Sequence, residues 1–448
     1  MSWWLSGWRW WFLPATMRTF AACGDDKNRR SGDASDDMRC FEGQGSGMIP
    51  LSEAQERVLA GCNVLDEAVV GVDHARGLVT TETVVAPELV PPFDNTAMDG
   101  FAVRSSDVTD APVTLAIAGT VAAGVPPEIA VGAGQAVRIM TGAVIPPGAD
   151  SVVMVELTET SADGTEVTVA ESVPAGNHIR RSGEDLTVGQ TVFGPGEVLA
   201  PGHLGVLTSL GMYQVRVRPR ARVGVMSTGD ELVEGPQPLE KGQIRDSNRH
   251  TLLALLAEAG CDPVDLGSLA DDEDEIAAGI RAGVEKCDAL LTSGGVSMGD
   301  YDYVKKVLDE IGEMSWMQVA IKPAKPLAFG LVQGIPVFGL PGNPVSSMVS
   351  FELFARPGLR KMMGHPPGTW HRQPIMGRVA EPLRRRPDGK THFARVRVEY
   401  ADGEFLARSA GGQGSHQLSA MAAADALAIL ADGEGLDAGD PVSLLILR

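Results

Sequence analysis

Hydrophobic and polar residues follow two different patterns along the chain. Between about residues 78 and 180, short runs rich in valine, threonine and isoleucine, such as VTLAIAGTV and SVVMVELTE, lie between Gly, Pro and Asp turns, which predicts a β-rich region with few helices. From Arg222 onward, strand-like runs alternate with helical segments, and one amphipathic helix is expected to end at Gly260. Strands that alternate with helices predict a parallel, doubly wound sheet of about 145 residues.

The segments on either side of this sheet are simpler. LSEAQERVLAGC predicts a helix that begins with a capping box of Ser52 and Gln55. From about residue 372, HFARVRVEYADGEFLARSA predicts a hairpin that turns at Asp402 and Gly403, and the short strands after it suggest a small β-barrel. GHPPGTWHRQP, between the sheet and the barrel, is predicted to be a linker.

Residues 1–47 differ from the rest of the chain. MSWWLSGWRWWFLP is rich in tryptophan, and CGDDKNRRSGDASDDMRC is polar. Because the apolar run is short and is broken by Arg9, we expect a disordered leader, or a spurious extension upstream of a start at Met48, rather than a targeting signal. No other segment offers ~18 uninterrupted apolar residues, so no transmembrane helix is expected.

Composition excludes some classes of partner. The formal net charge is −20, which argues against a nucleic-acid-binding face and against binding to an anionic membrane surface. A local cluster of lysine and arginine can still bind a small anion. The five cysteines form no C-x-x-C pair, so neither a zinc site nor a disulfide framework is indicated, and a reducing, cytoplasmic location is expected.

Four loops are predicted to follow strands of the doubly wound sheet, at the edge where such sheets bind ligands. They are STGDEL (227–232), SGGVSMGDYD (293–302), AIKPAKP (320–326) and LPGNPVSS (340–347). Each loop alone is better interpreted as a tight turn, but four in one sheet favour an anion site, because glycine lets backbone N–H groups approach a phosphate. Neither a dinucleotide fingerprint nor a Walker loop is present.

The charged residues of these loops suggest two kinds of contact. Lys322 and Lys325 flank Pro323, and two ammonium groups on a stiff turn suit an oxyanion, although solvated surface lysines explain the pattern equally well. Carboxylates such as Glu231 and Asp302 would repel a phosphate unless Mg²⁺ bridged the two. They can instead bind the N–H edge of a heterocycle, and for Asp302 helix capping is a further alternative.

Seven ordered motifs then carry a family resemblance. NTAMDGFAV, MTGAVIPPGADSVV, RRSGEDL, STGDEL, TSGGVSMGDYDYVK, AIKPAKPLAFG and GLPGNPVSS resemble the MoeA family of molybdopterin molybdenumtransferases, which includes the E-domain of gephyrin-like proteins. The resemblance covers residues 48–448. It implies an enzyme that inserts molybdenum from molybdate into adenylylated molybdopterin, releases AMP in a Mg²⁺-dependent step and forms molybdenum cofactor.

The resemblance also implies an α/β multidomain fold in a homodimer. The expected parts are an N-terminal extended region (48–220) with a β-rich inserted domain (about 94–180), a three-layer α/β/α molybdopterin-binding domain (221–365) and a small C-terminal β-barrel (372–448). The active site is expected in the cleft between subunits. Other enzymes of molybdenum cofactor biosynthesis are expected as partners.

Site residues follow from the motifs one by one. The expected catalytic residues are Asp99, Thr141, Asp185, Glu231, Asp288 and Asp302, of which Glu231 and Asp302 would hold Mg²⁺. The expected molybdate-binding residues are Lys322, Lys325, Ser346, Arg395 and Ser415. The loops expected to hold the pterin and nucleotide contain Gly294, Gly295, Ser297, Pro341, Gly342, Asn343 and Pro344. Gln318 stands where some members have a further lysine, and no role is predicted for it.

Two alternatives remain at this point. The α/β region alone also resembles a molybdopterin adenylyltransferase, which transfers AMP from ATP to the pterin. A gephyrin-like scaffold is the second alternative, although the chain lacks an appended adenylyltransferase domain and a long interaction linker.

Overall fold

The N-terminal region of the computed structural model consists mainly of short strands, as the sequence predicted. The structure describes residues 47–296 and 303–448, so the predictions for residues 1–46, Ser297 and Asp302 lie outside it. The elements of this region are α1 (Leu51–Gly61), β1 (Ala68–Gly71), β2 (Val79–Thr80), β3 (Val84–Val85), β4 (Asn95–Thr96), β5 (Gly100–Val103), β6 (Val113–Val121), β7 (Gln135–Ile139), β8 (Ser151–Met154), β9 (Thr158–Thr160), β10 (Glu166–Val169), β11 (Ile179–Arg180), β12 (Thr191–Phe193), α2 (Pro201–Ser209) and β13 (Gln214–Arg218).

A six-stranded sheet, in the order β8-β5-β7-β6-β10-β9, forms the β-rich part of this region. Neighbouring residues of β5 point to opposite faces, so that Phe101 packs into one apolar cluster and Ala102 into another. Before and after this sheet the chain forms the two-stranded ladders β4–β11 and β3–β12 and the three-stranded sheet β1-β13-β2. Strands from both sides of the insertion therefore pair with each other.

The predicted capping box at the start of α1 is wrong. Pro50 is the N-cap residue, and no side chain caps the helix. The Gln55 side chain donates instead to the carbonyl of Leu353, at 3.1 Å. The residue that the local pattern assigned to capping therefore makes a long-range contact. Ala54 and Val58 of α1 are buried in the core of the α/β region.

The α/β region contains one mixed six-stranded sheet. Its elements are β14 (Arg222–Thr228), β15 (Leu232–Val233), β16 (Ile244–Arg245), α3 (Asn248–Ala259), β17 (Asp262–Leu269), α4 (Glu273–Val284), β18 (Ala289–Ser293), α5 (Tyr303–Ile311), β19 (Glu313–Gln318), β20 (Ile321–Lys322), β21 (Pro326–Val332), β22 (Ile335–Leu340), α6 (Pro344–Ser350) and α7 (Arg356–Met362). The sheet order is β17-β14-β18-β22-β21-β19. Gly260 follows α3 in the left-handed conformation with φ 90°, which confirms the predicted helix end.

The expectation of a fully parallel sheet holds only in part. Strands β17, β14, β18 and β22 are parallel, whereas β21 is antiparallel to both β22 and β19. A two-residue turn at Gln333 and Gly334, both with positive φ, joins β21 directly to β22. Because no helix intervenes, the chain reverses direction as a hairpin there.

Helices cover both faces of this sheet, which confirms the three-layer arrangement. On one face α1, α3, α6 and α7 pack over Val223, Leu291 and Phe338. On the other face α4 and α5 pack over Leu290 and Val337. The predicted last helix is interrupted, because a π-helical stretch, Phe351–Ala355, separates α6 from α7.

The C-terminal region is a closed barrel. Its elements are β23 (Pro374–Val379), β24 (Leu383–Arg384), β25 (Thr391–Ala401), β26 (Glu404–Ser409), α8 (Leu418–Ala422), β27 (Ala426–Leu430), β28 (Gly435–Leu436) and β29 (Pro441–Ile446). Strands β25, β26, β23, β29 and β27 pair in that order, and β27 returns to β25. Asp402 and Gly403 form the predicted turn with φ 53° and 84°. Strand β20 pairs with β25, which brings Lys322 beside His392.

Within the residues that the structure describes, no helix combines the length and apolar character that crossing a membrane requires.

Candidate functional site

A cleft of about 460 Å³ lies at the carboxyl ends of the parallel strands. We call it the loop cleft. It is lined by Thr228, Gly229, Glu231, Asp271, Gly294, Gly295, Val296, Tyr303, Val304, Pro326, Pro341, Gly342 and Asn343. The structure therefore brings three of the four predicted loops to one cavity directly, and the fourth contributes Pro326.

Glycine is required where two of these loops approach each other. Gly294 and Gly295 both have positive φ, 98° and 68°, a conformation that residues with a Cβ rarely adopt. A Cβ added to Gly342 would lie 3.7 Å from the Cα of Gly294, so the two loops face each other as bare backbone. Such a surface presents N–H groups to a ligand and suits a phosphate.

The acidic side of the loop cleft is formed by Glu231 and Asp271. Sequence reasoning missed Asp271, although it lies just beyond β17, at the same carboxyl edge that identified the other loops. Burial raises the pKa of the Asp271 carboxyl above its ordinary value, and the nearby charges of Asp230 and Glu231 raise it further. The Asp271 backbone N–H donates to the Asp230 carboxylate at 3.1 Å, which fixes the loop in place.

This donor set fits a magnesium ion that also binds a phosphate. Mg²⁺ is usually held by one or two carboxylates, with waters and phosphate oxygens completing its coordination. Glu231 and Asp271 supply two carboxylates in one cavity. Across residues 47–296 and 303–448, no group of three or more His, Cys, Asp or Glu side chains forms a complete metal site, so a ligand would have to contribute to the coordination.

Asp288 does not reach the loop cleft. It precedes β18, and its carboxylate accepts a hydrogen bond from the Arg222 backbone N–H at 2.7 Å, at the start of β14. Both residues lie at the amino ends of parallel strands, the edge opposite the cleft. The structure thus places Asp288 away from the loop cleft of its own chain, where its carboxylate caps the edge of the sheet, and its expected catalytic role stays a prediction.

A second cavity, of about 260 Å³, lies between the turn after β20 and the barrel. We call it the arginine pocket. It is lined by Lys322, Pro323, Arg384, Arg385, Arg386, Asp388, His392, Phe393, Ala394, Arg395, Gln413 and Leu430. Two residues predicted to bind molybdate, Lys322 and Arg395, therefore meet here.

Arg395 is the most unusual residue of the arginine pocket. It is 0% exposed, and burial lowers the pKa of its guanidinium. Its Nη2 donates to the carbonyls of Gly412 and Gly414, at 2.8 and 3.2 Å. Its Nε and Nη1 are buried without a hydrogen-bond partner. A buried cation with unused donors costs free energy unless something compensates it, so an anion in this pocket has both charge and hydrogen bonds to gain.

Two other arginines of the pocket, Arg384 and Arg385, are already paired. Arg385 binds Asp388 and Asp432, at 2.7 and 2.8 Å, and Arg384 pairs with Asp437. Asp388 also accepts from Lys390 and His392. Burial alone would raise the pKa of Asp388, but these hydrogen bonds outweigh it and bring the pKa down to about 2. Asp388 is therefore an anion that holds the cationic wall together.

The remaining residues predicted to bind molybdate do not line the arginine pocket. The Ser415 carbonyl accepts from the Val345 N–H at 3.1 Å, which places Ser415 beside the buried Ser346. Lys325 is exposed and does not line the arginine pocket. Pro341, Gly342 and Asn343 line the loop cleft, and Pro344 begins α6 directly after them.

The predicted residues of the N-terminal half lie in neither cavity. The Asp99 carboxylate accepts from both the hydroxyl and the backbone N–H of Thr141, each at 2.6 Å. The hydroxyl bond is the main reason that the pKa of Asp99 is lowered, and the backbone bond adds to it. Asp185 lies in a separate shallow cavity beside Arg180 and Glu184. The structure therefore shows a contact between Asp99 and Thr141 that the sequence did not predict, and the catalytic roles of Asp99, Thr141 and Asp185 stay predictions.

Known families match almost all of the described chain. The MoeA N-terminal region (domain I and II) matches residues 49–211, a probable molybdopterin binding domain matches 224–361, and the MoeA C-terminal region (domain IV) matches 377–447. The molybdopterin molybdenumtransferase of Haemophilus influenzae is 38% identical over 400 residues, which are 89% of this chain and 98% of the relative.

The chain belongs to the molybdopterin molybdenumtransferase family. The Bacillus subtilis molybdopterin molybdenumtransferase is 32% identical over 409 residues, 89% of this chain and 94% of its own length. The crystal structure of a molybdopterin biosynthesis MoeA protein from Pyrococcus horikoshii superimposes with a TM-score of 0.72 at 28% identity, covering 90% of this chain and all of that one. The family and the multidomain fold expected from the motifs are therefore confirmed.

Proposed function

We propose that this protein is a transferase that inserts molybdenum from molybdate into adenylylated molybdopterin and releases AMP. The observation that carries the proposal is the pairing of two unlike cavities in one chain. The loop cleft offers glycine-rich backbone and carboxylates, whereas the arginine pocket offers a buried guanidinium with unused donors. One cavity suits a pyrophosphate attached to an N–H-rich ring, and the other suits a compact dianion.

The loop cleft binds the pterin nucleotide. Backbone N–H groups beyond Gly294, whose own N–H is bound to the Leu340 carbonyl, donate to the pyrophosphate, because the Gly294 and Gly342 loops meet there without intervening side chains. The carboxylates of Glu231 and Asp271 would hold Mg²⁺ against the same phosphates, with Asp302 as a further predicted ligand. Bound there, Mg²⁺ supplies charge neutralisation on the phosphate oxygens of the departing AMP.

The arginine pocket binds molybdate. Lys322 supplies a mobile ammonium group, and Arg395 supplies a fixed guanidinium that is already oriented by two carbonyl acceptors. No protein nucleophile is required, since an oxygen of molybdate can itself attack a phosphorus atom of the pyrophosphate. The P–O bond that joins this phosphorus to the departing AMP breaks in the same step. The protein therefore acts by positioning the two substrates and by neutralising their charge.

Further features of the proposal concern the molecule as a whole. The site is completed in a homodimer, in which Asp99, Thr141 and Asp185 of one protomer face the loop cleft of its partner. Adenylylated molybdopterin and molybdate are the small-molecule partners, and other enzymes of molybdenum cofactor biosynthesis deliver the substrate and receive the product. The cytoplasm is the proposed location.

A single-turnover assay tests this function. Adenylylated molybdopterin is mixed with the full chain, with and without molybdate and Mg²⁺, and released AMP is quantified. We expect AMP release that requires both molybdate and Mg²⁺. In a second arm, the chain is mixed with ATP and molybdopterin without molybdate. Accumulation of adenylylated pterin with release of pyrophosphate would instead identify an adenylyltransferase and contradict the proposal.

A further inference from the structure

The segment from Asp246 to Arg249 follows β16 and includes the first two residues of α3, and it lines neither cavity. Its side chains nevertheless contact the strand ends that carry the loop cleft. The Ser227 hydroxyl, next to Thr228 of the cleft, donates to the buried Asp246 carboxylate at 2.5 Å. Asp246 also accepts from the Arg249 guanidinium at 3.0 Å, so this end of the segment is held rigidly against β14.

Asn248 makes the contacts that matter most for the cleft. Its Nδ2 donates to the Ser293 hydroxyl at 2.8 Å and to the Gly342 carbonyl at 2.7 Å. A backbone carbonyl can only accept, which settles that the nitrogen and not the oxygen of the amide faces Gly342. Both amide hydrogens are thereby used, one on each of two loops.

These two acceptors belong to the loops that face each other as bare backbone. Ser293 is the last residue of β18 and directly precedes Gly294, whereas Gly342 lies in the cleft wall after β22. A bond from the Gly294 N–H to the Leu340 carbonyl, at 3.1 Å, joins the strands where they end. After the strands end, the Asn248 amide joins Ser293 to Gly342 and so sets the distance between the Gly294 loop and the Gly342 loop.

We propose that Asn248 is a positioning residue, whose amide holds the Gly294 loop and the Pro341–Asn343 loop at the spacing that a bound pyrophosphate requires. The inference deepens the proposed function and rests on it for the identity of the ligand. Backbone N–H groups bind an anion well only when their directions are fixed in advance. Loops with several glycines lack side-chain packing of their own, so an external tie has to fix them.

Two substitutions remove the tie in different ways. Asn248→Ala deletes both hydrogen bonds, whereas Asn248→Asp keeps the shape but places a carboxylate oxygen against the Gly342 carbonyl. Thr251→Val is the matched control, because it removes a hydrogen bond of 2.8 Å to the Ser247 carbonyl in the same helical turn without touching either loop.

The measurements are KM for adenylylated molybdopterin, kcat for AMP release, and the dissociation constant of molybdate. We expect KM to rise about 10-fold in Asn248→Ala, because two hydrogen bonds are lost and the Gly342 carbonyl is left without its donor. We expect a larger rise in Asn248→Asp, because a carboxylate oxygen then faces that carbonyl. Molybdate affinity is expected to stay within about twofold, and Thr251→Val to behave as the unmodified chain. A purely structural role would lower the active fraction, and with it kcat, while leaving KM unchanged; that outcome would overturn the proposal.

Hydrogen exchange supplies a readout that does not depend on activity. In the unliganded protein, amides of residues 293–296 and 340–343 should exchange faster in Asn248→Ala than in Thr251→Val, with the rest of the chain unchanged. Equal exchange in both variants would overturn the role of Asn248. If the unmodified chain releases no AMP from adenylylated molybdopterin, the proposed function fails, whereas the exchange result still decides whether Asn248 ties the loops.

Discussion

The loop cleft and the arginine pocket offer an anion opposite kinds of contact. The loop cleft is built from backbone at strand ends and its charged side chains are acidic, as with Glu231 and Asp271. The arginine pocket is built from cationic side chains of the barrel and of the turn after β20. The comparison indicates that shape recognises the larger ligand and charge the smaller one, so substitutions should affect the two ligands separately.

The largest expected effect is that of Arg395→Gln. Loss of the buried guanidinium should weaken molybdate binding about 100-fold, because charge-assisted hydrogen bonds in a buried site have no replacement from water. Nucleotide affinity should change by less than about threefold. Calorimetry with molybdate and with AMP measures both.

Arg397→Gln is the control for Arg395. It removes the same side chain from the same strand at an exposed position that does not line the pocket. We expect molybdate affinity to be unchanged in this variant. Equal loss of both ligands in Arg395→Gln would mean that the two cavities do not act separately.

The acidic residues of the loop cleft should affect the reaction rather than molybdate affinity. Asp271→Asn and Glu231→Gln are expected to slow AMP release about 10- to 100-fold and to raise the Mg²⁺ concentration required, because each removes a carboxylate from the proposed ion. Single-turnover rates across a range of Mg²⁺ concentrations measure this.

Asp288→Asn tests whether Asp288 is catalytic, as the motif implies, or only caps the edge of the sheet, as its contact with Arg222 indicates. Asp288 lies at the opposite edge of the sheet, so its substitution should change the rate of AMP release by less than about twofold. A loss comparable with that of Asp271→Asn would restore Asp288 to the catalytic residues.

These two aspartates illustrate how far sequence could predict the site. Alternation of strands and helices predicted the sheet and therefore the edge at which ligands bind, and the loops that follow β14, β18 and β22 do meet there. A motif match placed Asp288 in the site. The tendency of ligands to bind at the carboxyl ends of parallel strands would have favoured Asp271, which lies two residues after the end of β17. Position relative to the sheet therefore predicted which aspartate lines the cleft, and the catalytic roles of both stay to be tested.

The arginine pocket was predictable only in part. Lys322 and Arg395 were expected from motifs, but nothing in the pattern of Arg384–Arg386 indicated that this run would wall the same cavity. Its position depends on the closure of the barrel and on the pairing of β20 with β25. Such long-range pairings, like the contact of Gln55 with Leu353, are not encoded in local periodicity.

Lys322→Ala should have a smaller effect than the loss of Arg395. Lys322 is exposed, so water and salt screen its charge, and we expect molybdate affinity to fall about 10-fold. Nucleotide affinity should fall less than molybdate affinity. Titration with molybdate in the AMP-release assay measures the first quantity, and AMP calorimetry measures the second.

Lys325→Ala tests whether the effect of Lys322 is specific to the arginine pocket. Lys325 is also exposed but does not line the arginine pocket, so its loss should weaken molybdate binding less than that of Lys322. An equal or larger effect would extend the molybdate site beyond the pocket, towards the loop cleft at Pro326.

The smallest expected effect is a dependence of molybdate affinity on pH. Burial lowers the pKa of His392 below its ordinary value, and the charges of Arg385 and Lys322 act in the same direction. The hydrogen bond that the His392 ring donates to Asp388 opposes them. His392 therefore gains its proton at a lower pH than an ordinary histidine side chain does. That proton adds a positive charge to the arginine pocket, so molybdate affinity should rise by about two- to threefold as the pH falls to about 5.5.

His392→Gln should abolish this rise while keeping a hydrogen-bond donor beside Asp388. Asp388, with a pKa of about 2, stays charged throughout this range and cannot cause it. Asp271 of the loop cleft has a raised pKa, and its protonation would instead remove a carboxylate from the proposed Mg²⁺ site and weaken nucleotide binding at lower pH. A rise in molybdate affinity that persists in His392→Gln would assign the titrating group to the loop cleft and would show that the two cavities are electrostatically coupled.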